Sequence, residues 1–236
     1  MQAKIIHLLL LSLLPFFAMS QDNSLHIRST ADFEIDGKGS ASAWEQTEWV
    51  KLPLRHGEGT DLLTQAKVLY SESGIYFLMQ SKDERLTATL TEDFTNLFNE
   101  DVVEVFLWTD ENFPMYFEYE LSPLNYELPI MIPRTEDDFY GWLPWHYEGE
   151  RRTRHATSIQ GGAKESMAAI EGWTAEFFLP YTLLKPLGNI PPQKGTKWRA
   201  NMYRIDYDSD KPLYWQWQPT SGSFHEYKKF GTFIFD

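Results

Sequence analysis

From Gln21 onward apolar and polar side chains alternate with period two far more often than with the 3.6-residue period of a helix. Gln65–Tyr70 reads as a strand. Ser71-Glu72-Ser73-Gly74 carries turn chemistry, and Ile75–Gln80 reads as the return strand. Asp101–Trp108 and Met115–Leu121 are rich in β-branched and aromatic residues, with a turn at Asp110-Glu111-Asn112 between them. Further strands are expected over 153–160, 171–179, 197–206 and 230–235. Short strands at this spacing, broken by Gly and Pro, indicate an all-β chain: an antiparallel β-sandwich of jelly-roll or immunoglobulin-like type. One or two short helices are expected, at Ser40–Gln46 with Ser40 or Ser42 as cap, and at Tyr181–Lys185 after Pro180.

The alternation also assigns faces. Glu118 and Glu120 lie two apart and point to one side, while Phe117, Tyr119 and Leu121 point to the other. The carboxylates are therefore expected on the outer or concave surface of a sheet whose apolar face turns inward. Residues 101–108 are mixed on both faces, as in a central strand.

The N-terminus departs from the pattern. Ile5–Phe17 is almost wholly apolar, follows Lys4, and leads into Ala18-Met19-Ser20. A charged start, a short apolar run and small residues make a signal peptide over residues 1–20. The apolar run is shorter than the about 20 residues a helical membrane span needs. The expectation is a secreted protein, periplasmic or extracellular after cleavage near Ser20, with one domain over residues 21–236. No later segment suggests a membrane span.

Composition narrows the chemistry. The 236 residues include 34 acidic and 21 basic side chains, a formal charge of −13. That balance argues against nucleic acid, whose phosphates need clustered Lys and Arg. Zero cysteine excludes disulfides, thiolate metal sites and thiol catalysis. There is no Gly-x-Ser-x-Gly elbow, His-Glu-x-x-His motif or phosphate loop. What is abundant is aromatic: 9 Trp, 12 Tyr and 16 Phe. They are dense in 139–147 and 214–227, both broken by Gly or Pro. Sugars present apolar C–H faces to aromatic rings and hydroxyl edges to carboxylates and amides. Trp142, Trp145 and Trp215 are candidates for such a platform. Alternation puts Trp215 and Trp217 on one face; Trp217 reads as structural, and Trp215 stays open between core and platform.

Several segments resemble the family 9 carbohydrate-binding modules. They are 99–107 with 116–125, Ile35-Asp36-Gly37 with Trp44, Gly172–Glu176 ending at Pro180, and the closing Trp217-x-Pro-Thr, Phe224-His225 and Phe230-Gly231. The resemblance spans roughly residues 33–236. It implies a sandwich that clamps a terminal sugar between two rings, with a central-strand carboxylate accepting from hydroxyls. Mapped residue by residue, the rings fall on Phe98 and Phe224 and the carboxylate on Glu104. Glu118 stands where such a binder has a basic residue, and both rings are Phe where binders favour Trp. The similar modules also hold structural calcium. Oxygen ligands are plentiful here, yet no loop shows calcium-ligand spacing, so the metal is left open.

The resulting reading is non-catalytic saccharide binding at Phe98, Glu104, Glu118, Phe224, Trp142, Trp145 and Trp215, with polysaccharide-degrading enzymes as candidate partners. One alternative is a hydrolase of O-glycosyl compounds using Glu104, Glu118 and Glu120, which would need carboxyls about 5–5.5 or 6.5–9.5 Å apart across a cleft. The ordinary acidic surface of a solvated sheet face is its simpler rival. Another alternative is a haem-binding electron-transfer sandwich with Met79, Met115 or Met202 as ligand. His146, His155 and His225 read as hydrogen-bonded surface or loop residues, and Arg151–His155 as a solvated hairpin.

Overall fold

The described residues hold fourteen strands: β1 (Ser24–Ser29), β2 (Val50–Leu52), β3 (Thr64–Tyr70), β4 (Gly74–Lys82), β5 (Val102–Trp108), β6 (Met115–Leu121), β7 (Glu127–Thr135), β8 (Asp138–Phe139), β9 (Leu143–Pro144), β10 (Arg154–Gln160), β11 (Gly172–Pro180), β12 (Lys197–Asp206), β13 (Leu213–Gln216) and β14 (Gly231–Phe235). The structure, a computed structural model, describes residues 23–55, 62–135 and 138–236. The expected signal peptide lies outside the described residues. Among them, no helix is long and apolar enough to cross a membrane.

The first sheet runs β10-β11-β4-β3, with β2 on the outer edge of β3. The second runs β14-β12-β5-β6-β7, with β13 on β12 and the short β8 and β9 on β7. β1 joins them. Its first half pairs in parallel with β14, and Arg28 and Ser29 pair in parallel with Leu69 and Tyr70 of β3. All other strand pairings among the described residues are antiparallel. A strand that changes sheets closes one side of the sandwich and curls the whole ladder.

The inner layer follows from alternation. Val103, Val105 and Leu107 of β5, Phe117, Tyr119 and Leu121 of β6, and Trp198, Ala200 and Met202 of β12 meet Val68, Phe77, Met79, Trp173 and Phe177 of the first sheet. Met79 and Met202 are buried in this core and Met115 packs against it, so these methionines act as filler between sheets rather than as ligands at an open pocket. Both outer faces carry further layers. Over the first sheet, Phe33, Ile35 and Trp44 cover Leu69, Tyr76, Leu78 and Phe178. Over the second, the segments around Leu97, Trp142, Phe224 and Tyr227 cover Phe106, Tyr116, Ile130 and Tyr203.

Turns and helices differ in detail from expectation. The Ser71–Gly74 turn closes with Ser71 N donating to Gly74 O at 2.8 Å, and Ser71 Oγ accepts from the Ser73 and Gly74 amides. Ser42–Gln46 is a 3-10 turn preceded by Ala41, with no serine cap. Glu176 holds it instead. This buried carboxylate accepts from the amides of Asp36, Gly37 and Gly39 and from Trp44 Nε1 at 2.8–3.2 Å. Gly37 has φ +77°, and a Cβ there would meet the Ala156 carbonyl carbon at 2.8 Å, so only glycine fits the loop that faces Glu176. Tyr181–Leu184 is a four-residue α-helix. β7 was not expected, because Pro129 and Pro133 argue against a strand. Pro129 O accepts from Trp145 N, so on this strand the prolines turn their missing donors away from β6 and cost the β6–β7 ladder nothing.

Candidate functional site

Four strands of the second sheet supply the floor of a pocket on its outer face. Its volume is about 380 Å³, within the range of roughly 300–1,000 Å³ usual for small-molecule sites. Glu104 and Phe106 come from β5, Glu118 from β6, Ile130 from β7 and Ile205 from β12. Register places them side by side: Phe106 opposite Glu118, Glu118 opposite Ile130, and Glu104 opposite Glu120. Loops, a 3-10 turn and the short strands β8 and β13 build the walls from Phe98, Phe139, Trp142, Tyr207, Tyr214, Phe224, His225 and Arg55.

The walls are held in place by hydrogen bonds from residues beneath them. Phe224 stacks on Tyr203 at 4.0 Å between ring centres, and Tyr203 Oη donates to the Phe224 carbonyl. Asn201 Nδ2 donates to Tyr203 Oη and to Gln218 O, so β12 positions the loop that carries Phe224. Across the pocket, Tyr207 Oη donates to the Phe98 carbonyl, and Trp142 meets the Phe98 ring edge-on at 6.3 Å. Asp101, at the entry to β5, accepts from the Thr87 and Tyr207 amides. His225 lies between Phe106 and Phe139, with ring centres 5.3 and 4.6 Å away, and its Nδ1 is 2.6 Å from Tyr116 Oη.

Phe98, Glu104, Glu118, Phe224 and Trp142 thus share one pocket. Trp145 and Trp215 do not. Trp145 packs against the inner core and donates through Nε1 to Leu183 O. Trp215 is buried in that core, with the Arg204 guanidinium 4.4 Å from its ring centre. Alternation had put Trp215 beside Trp217, and both point inward. His225, expected as a hydrogen-bonded surface or loop residue, is hydrogen-bonded in a loop and also forms a pocket wall. Phe106, Phe139, Tyr207 and Tyr214 also belong to the lining. The visible signal for Tyr214 and Phe139 was aromatic density in Pro- and Gly-broken segments; nothing local marked Tyr207 or Arg55.

The carboxylates are not on a solvated face. Glu104, Glu118 and Glu120 are 2 %, 4 % and 0 % exposed, because loops roof the sheet. Burial, reinforced by the neighbouring carboxylates, pushes Glu104 and Glu120 well above the usual carboxylate range. Burial also raises Glu118, to about 8. Burial thus favours the protonated forms, which can donate as well as accept. Glu104 and Glu118 rise from adjacent strands of one floor.

The metal question can be tested on one cluster. Among the described residues, Asp83, Asp206 and Asp208 bring carboxylate oxygens within 4.8 Å of one another. Arg204 Nη2 already sits among them, 3.0 Å from Asp83 Oδ2 and 2.6 Å from Asp206 Oδ2. A guanidinium occupies the place a cation would take, so these residues do not fit a calcium ion.

Residues 35–132 match the family described as carbohydrate family 9 binding domain-like. The chain carries a family 9 binding-domain-like region. Three solved structures share the fold. A candidate carbohydrate-binding protein from Bacteroides uniformis is 15 % identical with a TM-score of 0.74, covering 90 % of this chain and 99 % of that one. A family 9 carbohydrate-binding module from Caldicellulosiruptor kristjanssonii in complex with glucose is 16 % identical with a TM-score of 0.64, covering 90 % and 95 %. The same description in complex with cellotriose gives 15 % and 0.63, covering 90 % and 93 %. No curated protein matches the chain. The family 9-like match takes in β2 to most of β7, and hence Phe98, Glu104 and Glu118. Trp142 and Phe224 lie beyond it, within a likeness of fold alone.

Proposed function

We propose that the chain binds a saccharide without chemistry in the pocket between Phe98, Trp142 and Phe224. The observation that carries this reading is the meeting of half-exposed rings with two buried carboxyl groups in one pocket. Phe98 and Phe224 offer planes to sugar C–H faces, and Glu104 and Glu118 exchange hydrogen bonds with hydroxyls. The family 9-like match supports it, as do the fold relatives whose descriptions name glucose and cellotriose. The protein is exported after cleavage near Ser20 and serves polysaccharide-degrading enzymes as a binding accessory. Affinities are expected in the micromolar to millimolar range.

Calorimetric titration with a panel of mono- and oligosaccharides tests the reading. Saturable binding that weakens on Phe224→Ala supports it. A folded protein that binds none of them, or binds them unchanged after that substitution, overturns it. Incubation with oligosaccharides should produce no new reducing ends; their appearance would reinstate the hydrolase alternative.

A further inference from the structure

The pocket floor holds more acidic groups than a neutral sugar needs. Glu118 Oε2 and both oxygens of Glu120 make no hydrogen bond of good geometry to a donor among the described residues, and the Glu118 and Glu120 carboxyls lie close enough to interact with each other. Buried carboxylates call for a cation or a proton. The one guanidinium in the lining, Arg55, donates to Gly222 O and lies 5.6 and 5.9 Å from the centres of Phe224 and Tyr214, against the wall rather than on the floor. Arg204 is engaged with Asp83 and Asp206 on the inner side of the sheet. The nearest group able to carry charge is His225, whose Nδ1 is 3.8 Å from Glu118 Oε2 and is engaged with Tyr116 Oη. Above the floor stand Phe98, Trp142, Tyr207, Tyr214 and Phe224, whose ring faces attract cations.

We propose that the pocket is built for an amino sugar: a saccharide ring bearing a protonated amine, whose ammonium group sits between Glu104 and Glu118 while its C–H faces lie against Phe98 and Phe224. The proposal rests on the saccharide reading and narrows it. Without ligand, Glu104, Glu118 and Glu120 relieve their mutual repulsion by holding protons. An incoming ammonium replaces one of those protons, so binding near neutral pH releases a proton to solvent. A neutral sugar releases none. Among the described residues, the other titratable or charged groups that face the floor are Tyr116 of β6, Tyr203 of β12, Tyr207, Tyr214, His225 and Arg55.

The test is calorimetry on the full chain with glucosamine, glucose, N-acetylglucosamine and glucuronate, at about pH 6 in two buffers of different ionisation enthalpy. Glucosamine is expected to bind about tenfold tighter than glucose, with a buffer-dependent heat that reports proton release. N-acetylglucosamine, which keeps the ring and loses the charge, should bind no tighter than glucose. Glu118→Gln should move the glucosamine-to-glucose ratio toward one, with the thermal melt of the variant reporting that it is folded. Glucose binding as tightly as glucosamine, or glucuronate binding tightest through Arg55, overturns the amino-sugar assignment and leaves saccharide binding intact. Binding of no sugar removes both.

Discussion

Phe224 shows what one side chain contributes. One face of its ring lies on Tyr203, so the ring is held still before any ligand arrives, and little ordering entropy is lost on binding. Phe224→Ala removes the plane and should cost about 1–2 kcal/mol, roughly 5- to 30-fold in affinity for any bound sugar, read by titration. Tyr203→Phe tests the support rather than the contact. It removes the hydroxyl that donates to Phe224 O and accepts from Asn201 Nδ2, leaving the stacked ring pair in place. The expected outcome is a smaller loss of affinity than Phe224→Ala, with a fall in stability of about 1 kcal/mol. At this scale the chain was partly legible. Phe98, Glu104, Glu118 and Phe224 came from the family 9 resemblance. Trp145 and Trp215 were misplaced because an indole in a loop or strand end looks the same in sequence whether it faces solvent or core.

Among the elements, the segment over residues 33–46 is held to the first sheet chiefly through Glu176. Four donors converge on that carboxylate, and Glu176→Ala would strand them beneath the surface. The expected cost is about 3 kcal/mol, a drop in melting temperature of about 6–12 °C. Sugar affinity should hold in the variant, because the pocket lies on the second sheet. Thermal melting followed by titration checks both halves. Alternation located β3 to β6, β10 to β12 and β14 within a residue or two. β1, β2, β7, β8 and β9 escaped it; β7 carries two prolines, which normally end a strand, and only the neighbouring β6 and β9 reveal that their missing donors face away from β6. The 3-10 turn at Ser42–Gln46 is fixed by a partner 132 residues away in sequence from Trp44, a distance no local signal spans.

For the whole molecule, stability should depend on pH through the roofed carboxyls. Glu118 is raised to about 8, Asp101 to about 8 by burial and the nearby Asp83, and Glu104 and Glu120 upward as well. Between the ordinary carboxylate range and about pH 8 the folded chain binds more protons than the unfolded chain. The slope of unfolding free energy against pH is therefore negative there. Their stabilisation is full below the unfolded values near pH 4 and fades as pH rises through the folded ones. Chemical denaturation without ligand should give a midpoint that falls from about pH 5 to about pH 8. A midpoint that rises over that interval would mean the three glutamates are ionised and paired in the folded state.

Period-two alternation, turn residues and the absence of cysteine determined a β-sandwich with its strands nearly in place, because a half-buried strand writes its two faces directly into neighbouring positions. Alternation also brought out the acidic central strands, and the family 9 resemblance brought out the two phenylalanines. The roof was decided elsewhere. Only long-range contacts put Tyr207, Tyr214, His225 and Arg55 around Glu104 and Glu118, and only that enclosure turned surface-patterned carboxylates into buried, proton-holding groups. The physical reason is that local pattern reports which way a side chain points from its own strand, whereas burial and protonation depend on what distant segments lay over it.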